Sequence, residues 1–301
     1  MTKYGHIPVL LEEVLHYLKP ERPGIYIDCT FGLGGHSLEI LKRFPQAEII
    51  GFDVDEKALL EARSRLVPFA ERAELFHSDF RFLPELNLEF SSVRGMLMDL
   101  GLSSFQLDNP ERGFSYSQEG PLDMRMDQRN KITAAKILNK YSEKQLAHLF
   151  KEYGELRQAR RLSENIVSQR KEKKFKTTSQ LLKLTEKACR WRPQKGRIHP
   201  AAKVFQALRI EVNQELKGLS EFIEKMVHIL PSGARIAVIS FHSLEDRIIK
   251  HTFNRLASSK ENKIRKLDIL TKKPVTPSEK EKSRNFRARS AKLRAAEVRQ
   301  W

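Results

Sequence analysis

Three aspartates, Asp53, Asp79 and Asp99, each close a short apolar run, and all three follow the glycines of "YIDCTFGLGGHS" (26–37), namely Gly32, Gly34 and Gly35. Glycine is costly to order, so such a cluster after a buried strand marks a backbone that turns sharply or admits a close neighbour. A carboxylate at Asp53 can accept from both ribose hydroxyls of a bound nucleoside. "HSDF" places Asp79 and Phe80 where an adenine amino group and ring face can be held, and "MDLGLSS" places Asp99 beside the reacting centre. Singly, Asp53 and Asp79 read as readily as helix N-caps. Three acids at successive strand ends behind one glycine loop read as a ligand site. Two cofactor classes use such a loop, dinucleotides and S-adenosyl-L-methionine. A dinucleotide fingerprint prefers Gly or Ala where this chain has Ser37, and needs a helix N-terminus free for a pyrophosphate. The methyl-donor reading is favoured.

These residues require a sheet that delivers them to one edge. Apolar runs at 25–28, 48–53, 73–77, 93–99 and 234–241 read as buried parallel strands, and the first four alternate with helical patterns such as "DEKALLEARSRL" (55–66). That alternation specifies a doubly wound α/β sheet, whose ligands bind beyond the carboxyl ends of the strands. More than 130 residues separate the fourth strand from the fifth, too many for one crossover. Within them, "SEKQLAHLFKEYG" (142–154) opens with Ser142 and Gln145 in capping-box spacing and stops at Gly154. Further helices are predicted at 156–169, 178–190, 200–216 and 219–230. The predicted organisation is a core of 1–104 and 216–301 with an all-helical insertion at 105–215. The tail 260–301 is charged and weakly hydrophobic, with "SAKLRAAEV" (290–298) as a last edge strand.

The two cysteines, Cys29 and Cys189, have no metal-type spacing, which argues against a disulfide framework and a zinc site. With no signal peptide and no apolar run of about 18 residues, the expectation is a cytoplasmic protein without a membrane segment. The net charge of +17 is uneven. Residues 151–200 hold 15 Lys/Arg against 5 Asp/Glu, and residues 251–301 hold the same numbers, so each block carries +10. Such blocks are either solvated surface or an electrostatic footprint for a polyanion; the second is the reading that predicts a partner.

Beyond these features the chain resembles the RsmH (MraW) family, bacterial methyltransferases that modify N4 of a cytidine in small-subunit (16S) ribosomal RNA. The resemblance is carried by "HIPVLLEEV" (6–14), the glycine loop, "DLGLSSFQLD" (99–108), "RGFSYSQEGPLDMRMD" (112–127), "HPAAKVFQALRIEVNQEL" (199–216), "ISFHSLEDR" (239–247) and "RSAKLRAAE" (289–297). "GPLDMRMD" and "SFHSLEDR" are far more specific than any glycine motif. The resemblance implies a Rossmann-like, S-adenosyl-L-methionine-dependent methyltransferase core. Its partner would be small-subunit ribosomal RNA or the small ribosomal subunit, with the helical insertion in RNA recognition. It also implies cofactor contacts at Gly34, Gly35, His36, Asp53, Phe80, Asp99 and Gln106. Cys29 departs from the family, which commonly has glycine there; a thiol is small enough to be tolerated at that place, at the cost of some crowding of the loop. The sequence leaves the oligomeric state open, a homodimer included.

Catalytic candidates are Asp99, Ser103 and His242. A cytidine amine is a weak nucleophile because its lone pair is delocalised, so alignment in line with the leaving sulfonium is the main requirement. Asp99 is expected to accept an N–H bond from that amine, and Asp53 to serve the ligand with little structural duty. The scattered histidines His6, His36, His199 and His242 show no metal spacing. Asp123 and Asp127 are spaced as a helical pair, but Arg125 between them favours a charge-balanced loop over a magnesium site. The competing functions are a nicotinamide-dependent oxidoreductase and a non-catalytic RNA-binding assembly factor.

Overall fold

Adjacent residues of a strand face opposite ways, so a strand with unbroken apolar sequence must be covered on both sides. The computed structural model, which describes residues 8–194, 196–258 and 266–299, has this property. Tyr26 enters one apolar layer and Ile27 the other; Leu97 opposes Met96 and Met98, and Ile239 opposes Val238. His6 and Ile7, the first two residues of "HIPVLLEEV", lie outside the described residues, as do 260–265, 300 and 301 of the tail.

In chain order the elements begin with α1 (Leu11–Leu18), β1 (Gly24–Asp28), α2 (Gly35–Arg43), β2 (Ala47–Asp53), α3 (Glu56–Leu66), β3 (Ala73–His77) and β4 (Val93–Asp99). There follow α4 (Ser104–Leu107), α5 (Ala134–Lys140), α6 (Glu143–Glu152), α7 (Ala159–Glu172), α8 (Thr178–Cys189) and α9 (Pro200–Asn213). The chain returns with α10 (Leu219–Ile229), β5 (Arg235–Ser240), α11 (Ser243–Ala257), β6 (Leu267–Ile269) and β7 (Lys292–Val298). It divides into two units, one of residues 1–101 and 216–301 and one of residues 102–215.

The first unit is a seven-stranded sheet of order β3-β2-β1-β4-β5-β7-β6. The first five strands are parallel, and β7 runs antiparallel to both β5 and β6. Strand order reverses between β1 and β4, the switch point at which open α/β sheets hold ligands. Register then sets the acids. Asp28 is level with Gly51 of β2 and Leu97 of β4, so Asp53 and Asp99 each stand two residues further out on its two neighbours.

The tail differs from its sequence reading. Its strand is β7 but not the edge, which is β6, a three-residue strand too short and too charged to show a period. Part of the tail's charge is also internal. Arg294, buried, and Lys292 reach Asp246 at 2.6 and 3.2 Å, and Arg299 pairs with Asp268. Those cations hold the fold.

The second unit has its own core, including Phe150, Ile166, Phe175, Leu181, Val204 and Leu208. Ser142 and Gln145 form the capping box that their spacing predicts. Helix α7 starts three residues later than predicted, because Glu155 takes a left-handed φ of 45° and the Leu156 amide donates to Phe150 O. Asp123 and Asp127 do not share an ion site. Each carboxylate grips the arginine two residues on, Arg125 at 2.7 Å and Arg129 at 2.8 Å, in a loop where Met124 has φ 62°.

One packing constraint joins the sheet to the glycine loop. The Phe31 ring, buried in that loop, lies against the bare Cα positions of Gly34 and Gly51. A Cβ at Gly34 would stand 2.7 Å from its Cε1, and one at Gly51 would collide with its Cδ2 and stand 2.6 Å from Leu75. Gly51→Ala is therefore expected to cost about 1–3 kcal/mol by overpacking. Denaturant unfolding checks this. Adding Phe31→Leu should cost less in the Gly51→Ala background than in the wild type, and additive losses would contradict the shared contact.

Candidate functional site at the carboxyl edge of the sheet

The glycine loop is held by hydrogen bonds as well as by Phe31. Its Phe31 amide donates to Phe52 O at 2.8 Å and its Gly34 amide to Phe31 O at 2.7 Å. Gly34, at φ 76°, caps α2 in a conformation that side chains resist. At the end of β1, Asp28 accepts from Ser37 Oγ at 2.6 Å and from the Thr30 amide at 3.2 Å, so a buried carboxyl pins the first turn of α2 to the strand. Thr30 Oγ1 in turn accepts from the Asp99 amide at 2.6 Å, which links the ends of β1 and β4. Ser37, which weakened the dinucleotide reading, is thus a structural partner of Asp28.

Asp53 has more structural duty than its place at a strand end suggests. Its Oδ2 accepts from the Gly32 amide at 2.6 Å and its Oδ1 from the Asp55 amide at 2.8 Å. One carboxylate therefore fixes the glycine loop and the entry to α3, so the expectation of little structural duty is not met. Asp79 caps the turn after β3 and forks onto Arg81, whose Nε lies 2.9 Å from Asp79 Oδ1. Phe80 packs edge-on to Phe222, with ring centroids 4.8 Å apart.

At the end of β4, His36 Nε2 lies 2.9 Å from Val9 O, and a carbonyl only accepts, so Nε2 carries a hydrogen. Nδ1 then faces Asp99 Oδ2 at 3.6 Å, and two lone pairs would meet unless one of these groups holds a further proton. Asp99 Oδ1 is buried and has no hydrogen-bond partner among the described residues. Burial raises the Asp99 carboxyl well above the ordinary range, with Asp28 and Glu245 adding to the shift.

His242 caps α11. Its Nδ1 accepts from the Glu245 amide at 3.4 Å, and its Nε2 lies 3.2 Å from Glu245 Oε1. Glu245 Oε2 accepts from the Phe241 and His242 amides at 2.8 and 3.2 Å. The same type of box ties Ser103 to Gln106 in the second unit: Ser103 Oγ accepts from the Gln106 amide and Gln106 Oε1 from the Ser103 amide, each at 3.2 Å. Both catalytic candidates other than Asp99 thus carry helix-capping duties. Cys29 is accommodated as a buried member of the core cluster that also includes Ile27 and Phe52.

Sequence reasoning missed Asp28 and Glu245. The first showed as an acid ending an apolar strand, the second as the fourth residue of "HSLE", a capping-box spacing. Together, buried Asp28 and Glu245 and half-buried Asp53 and Asp99 give this edge an excess of carboxyls. Such a set suits a ligand bearing hydroxyls, amines and a positive sulfonium, and it repels a pyrophosphate. The orphaned Asp99 oxygen also awaits a donor from outside the described protein atoms. The residues fit S-adenosyl-L-methionine and do not fit a dinucleotide.

The acids also predict a pH effect. Burial raises both Asp28 and Asp53 from 3.8 to about 6. Between about pH 4 and pH 6 the folded ligand-free chain holds protons that the unfolded chain has released. These two groups therefore make stability fall as pH rises through that window. Asp28→Asn stays neutral throughout, so between pH 4 and pH 8 its stability relative to the wild type should improve by roughly 2 kcal/mol. Denaturant unfolding at the two pH values measures the difference, and an unchanged difference would refute the assignment.

Comparison with known proteins identifies the family of the chain. The model of the MraW methylase family matches residues 3–299. Ribosomal RNA small subunit methyltransferase H of Carboxydothermus hydrogenoformans is 47% identical over 313 residues, covering 98% of both chains. The proteins of the same name from Cyanothece sp. and Thermotoga neapolitana are 48% and 47% identical, covering 98% and 99% of this chain and 95% and 98% of their own. A solved rRNA methylase from Streptococcus thermophilus aligns over 98% of this chain and 100% of its own, at TM-score 0.44 and 12% identity. At nearly half identity over nearly the whole length, and with the family model spanning both units, the chain belongs to the MraW methylase family.

Proposed function

We propose that this protein is an S-adenosyl-L-methionine-dependent methyltransferase that methylates N4 of a cytidine in small-subunit ribosomal RNA. The observation that carries the reading is Asp99. Its unpartnered, buried Oδ1 stands at the switch point of the sheet, among carboxyls that suit a sulfonium. Family membership and the shared name of the relatives support the substrate class. When bound, the cofactor supplies an electrophilic methyl group.

The protein's part is orientation and proton handling. Asp53, with the glycine loop it secures, is the ribose acceptor, and Phe80 is the apolar face for the adenine. Gly34, Gly35 and His36 bring the loop backbone to the cofactor. Asp99 Oδ1 accepts one N–H of the target amine. That bond draws electron density towards nitrogen and holds it near the in-line approach of about 3–3.5 Å that transfer requires. Methylation leaves a surplus proton on the amine nitrogen, and Asp99, ionised once a cationic cofactor stands beside it, receives it. His36, anchored through Val9, keeps the other carboxyl oxygen oriented. His242 and Ser103 contribute by holding the strand-end loops in place.

The target base must leave its stack to reach such an edge, so the substrate is single-stranded or locally opened RNA. We assign its phosphates to the helical unit's basic block. Lys171, Lys173, Lys174 and Lys176 are all exposed around the buried Phe175.

Nucleoside mass spectrometry of small-subunit RNA from cells lacking the protein tests the function. The expected result is loss of one methyl group from a cytidine, and an unchanged nucleoside profile would overturn it. Asp99→Asn should lower kcat about 100-fold or more while changing cofactor affinity far less. Normal kcat at saturating cofactor would leave Asp99 as a cofactor ligand only. Replacing the four lysines by Gln should weaken RNA binding and reduce its log–log salt slope by roughly 0.7 for each phosphate no longer neutralised. Filter binding over a salt series measures this slope.

A further inference from the structure

The connection from α8 to α9 has a composition that neither the cofactor site nor the lysine block explains. "RWRPQKGRIH" (190–199) holds Arg190, Arg192, Lys195 and Arg197, has no carboxylate, and includes one of the two tryptophans of the chain. An exposed loop with tryptophan would ordinarily bury it. Here Trp191 stays partly exposed, Ile198 is 68% exposed, and Arg190, Arg192 and Arg197 face solvent.

The local geometry is held firmly. Arg190 ends α8 in the left-handed region at φ 49°, where glycine would be the relaxed residue, and the Trp191 amide donates to Glu186 O at 2.9 Å. The Arg197 guanidinium carbon sits 5.3 Å from the centroid of the Trp191 ring. The indole meets His199 edge-on at 4.8 Å, and His199 stacks on Tyr116 at 5.4 Å with the planes 18° apart. His199 cannot turn freely, because its Nδ1 accepts from the Ala201 amide at 3.1 Å and its Nε2 lies 3.2 Å from Glu186 Oε1. That glutamate is occupied by the histidine.

A pre-set aromatic face carrying a guanidinium, ringed by arginines, is the chemistry that receives an unstacked base. The ring supplies a π-surface that any base can use, the guanidinium stacks on it, and the flanking cations take the phosphates. We propose that Trp191 and Arg197, flanked by Arg190 and Arg192, form a stacking site for an unpaired base of single-stranded RNA in the helical unit. The site deepens the RNA-methyltransferase reading and rests on it.

Tryptophan fluorescence reads the site directly. In a Trp301→Phe background, Trp191 is the sole indole. Titration with a short single-stranded oligoribonucleotide should quench it, and an abasic oligonucleotide of equal length and charge should bind with little quenching. Trp191→Ala should weaken binding of the base-bearing strand roughly 5- to 150-fold, the range for removal of one stacked base, and Trp191→Phe should retain most of the affinity. Cofactor affinity, read by calorimetry with S-adenosylhomocysteine, should stay unchanged in both variants and so report that the protein is folded. Equal quenching by both strands, or unaltered affinity in Trp191→Ala, would overturn the stacking site while leaving the RNA reading standing. Failure of the Trp301→Phe protein to bind either strand would overturn the site together with RNA binding by the isolated protein, a result that nucleoside analysis of cells lacking the protein separates from loss of the methyltransferase function itself.

Discussion

The Phe31 ring, lodged against Gly34 and Gly51, is the constraint on which the site depends. The loop after β1 has to fold back over the sheet tightly enough to seal the core, and an aromatic side chain does the sealing. Space for that ring exists only because β2 has no side chain at Gly51 and α2 begins without one at Gly34. With the ring fixed, the Gly32 amide is directed at Asp53, and the helix that starts at Gly35 is directed at Asp28 through Ser37. The glycines thus answer first to a phenylalanine. The open backbone left above them is what a ligand can use.

The carboxyls at this edge form a second layer of the same logic. A folded chain seldom gathers Asp28, Asp53, Asp99 and Glu245 under partial or full burial, because each disfavours the ionisation of the others. Backbone amides stabilise Asp53 and Glu245, and a serine hydroxyl stabilises Asp28. Asp99 receives least. It has His36 across 3.6 Å on one oxygen and nothing among the described residues on the other. An edge organised in this way is complete only with a cation and an N–H donor present, which is the composition of a sulfonium beside an amine.

Much of this was legible in the sequence. Four of the five parallel strands showed as apolar runs because they are covered on both faces, with no polar alternation to blur them; β3, expected as a buried strand, is instead the edge strand, and none of its residues is fully buried. The Ser142–Gln145 box and the strand-end positions of Asp53 and Asp99 followed from spacing alone. What stayed hidden needed three-dimensional partners. Strand β6 has three residues and borrows its pairing from β7. Asp28 looked like one more strand-end acid until Ser37 was brought back against it. His242 and Ser103 had the residue types of catalysts, yet their neighbours three positions on, Glu245 and Gln106, commit them to capping. The charge of the tail is a correct sum, but Lys292, Arg294 and Arg299 are paired with Asp246 and Asp268, which no one-dimensional count reveals.

The two kinds of electrostatics in this chain work over different distances, and that separates their tasks. Carboxyls at the sheet edge act at hydrogen-bond range in a poorly solvated setting, where salt has little access and geometry decides the outcome. On the proposed reading, exposed lysines and arginines of the helical unit act through solvent, where a strand's phosphates are attracted in proportion to their number and with little regard to sequence. Neither could replace the other. A cationic cofactor edge would repel the sulfonium, and an acidic RNA surface would repel the backbone. Phosphate attraction alone would also bring any RNA to the protein. Selection of a base therefore has to come from contacts that read a ring and an amine, and the chain offers such groups in the Asp99 carboxyl of one unit and the Trp191 face of the other.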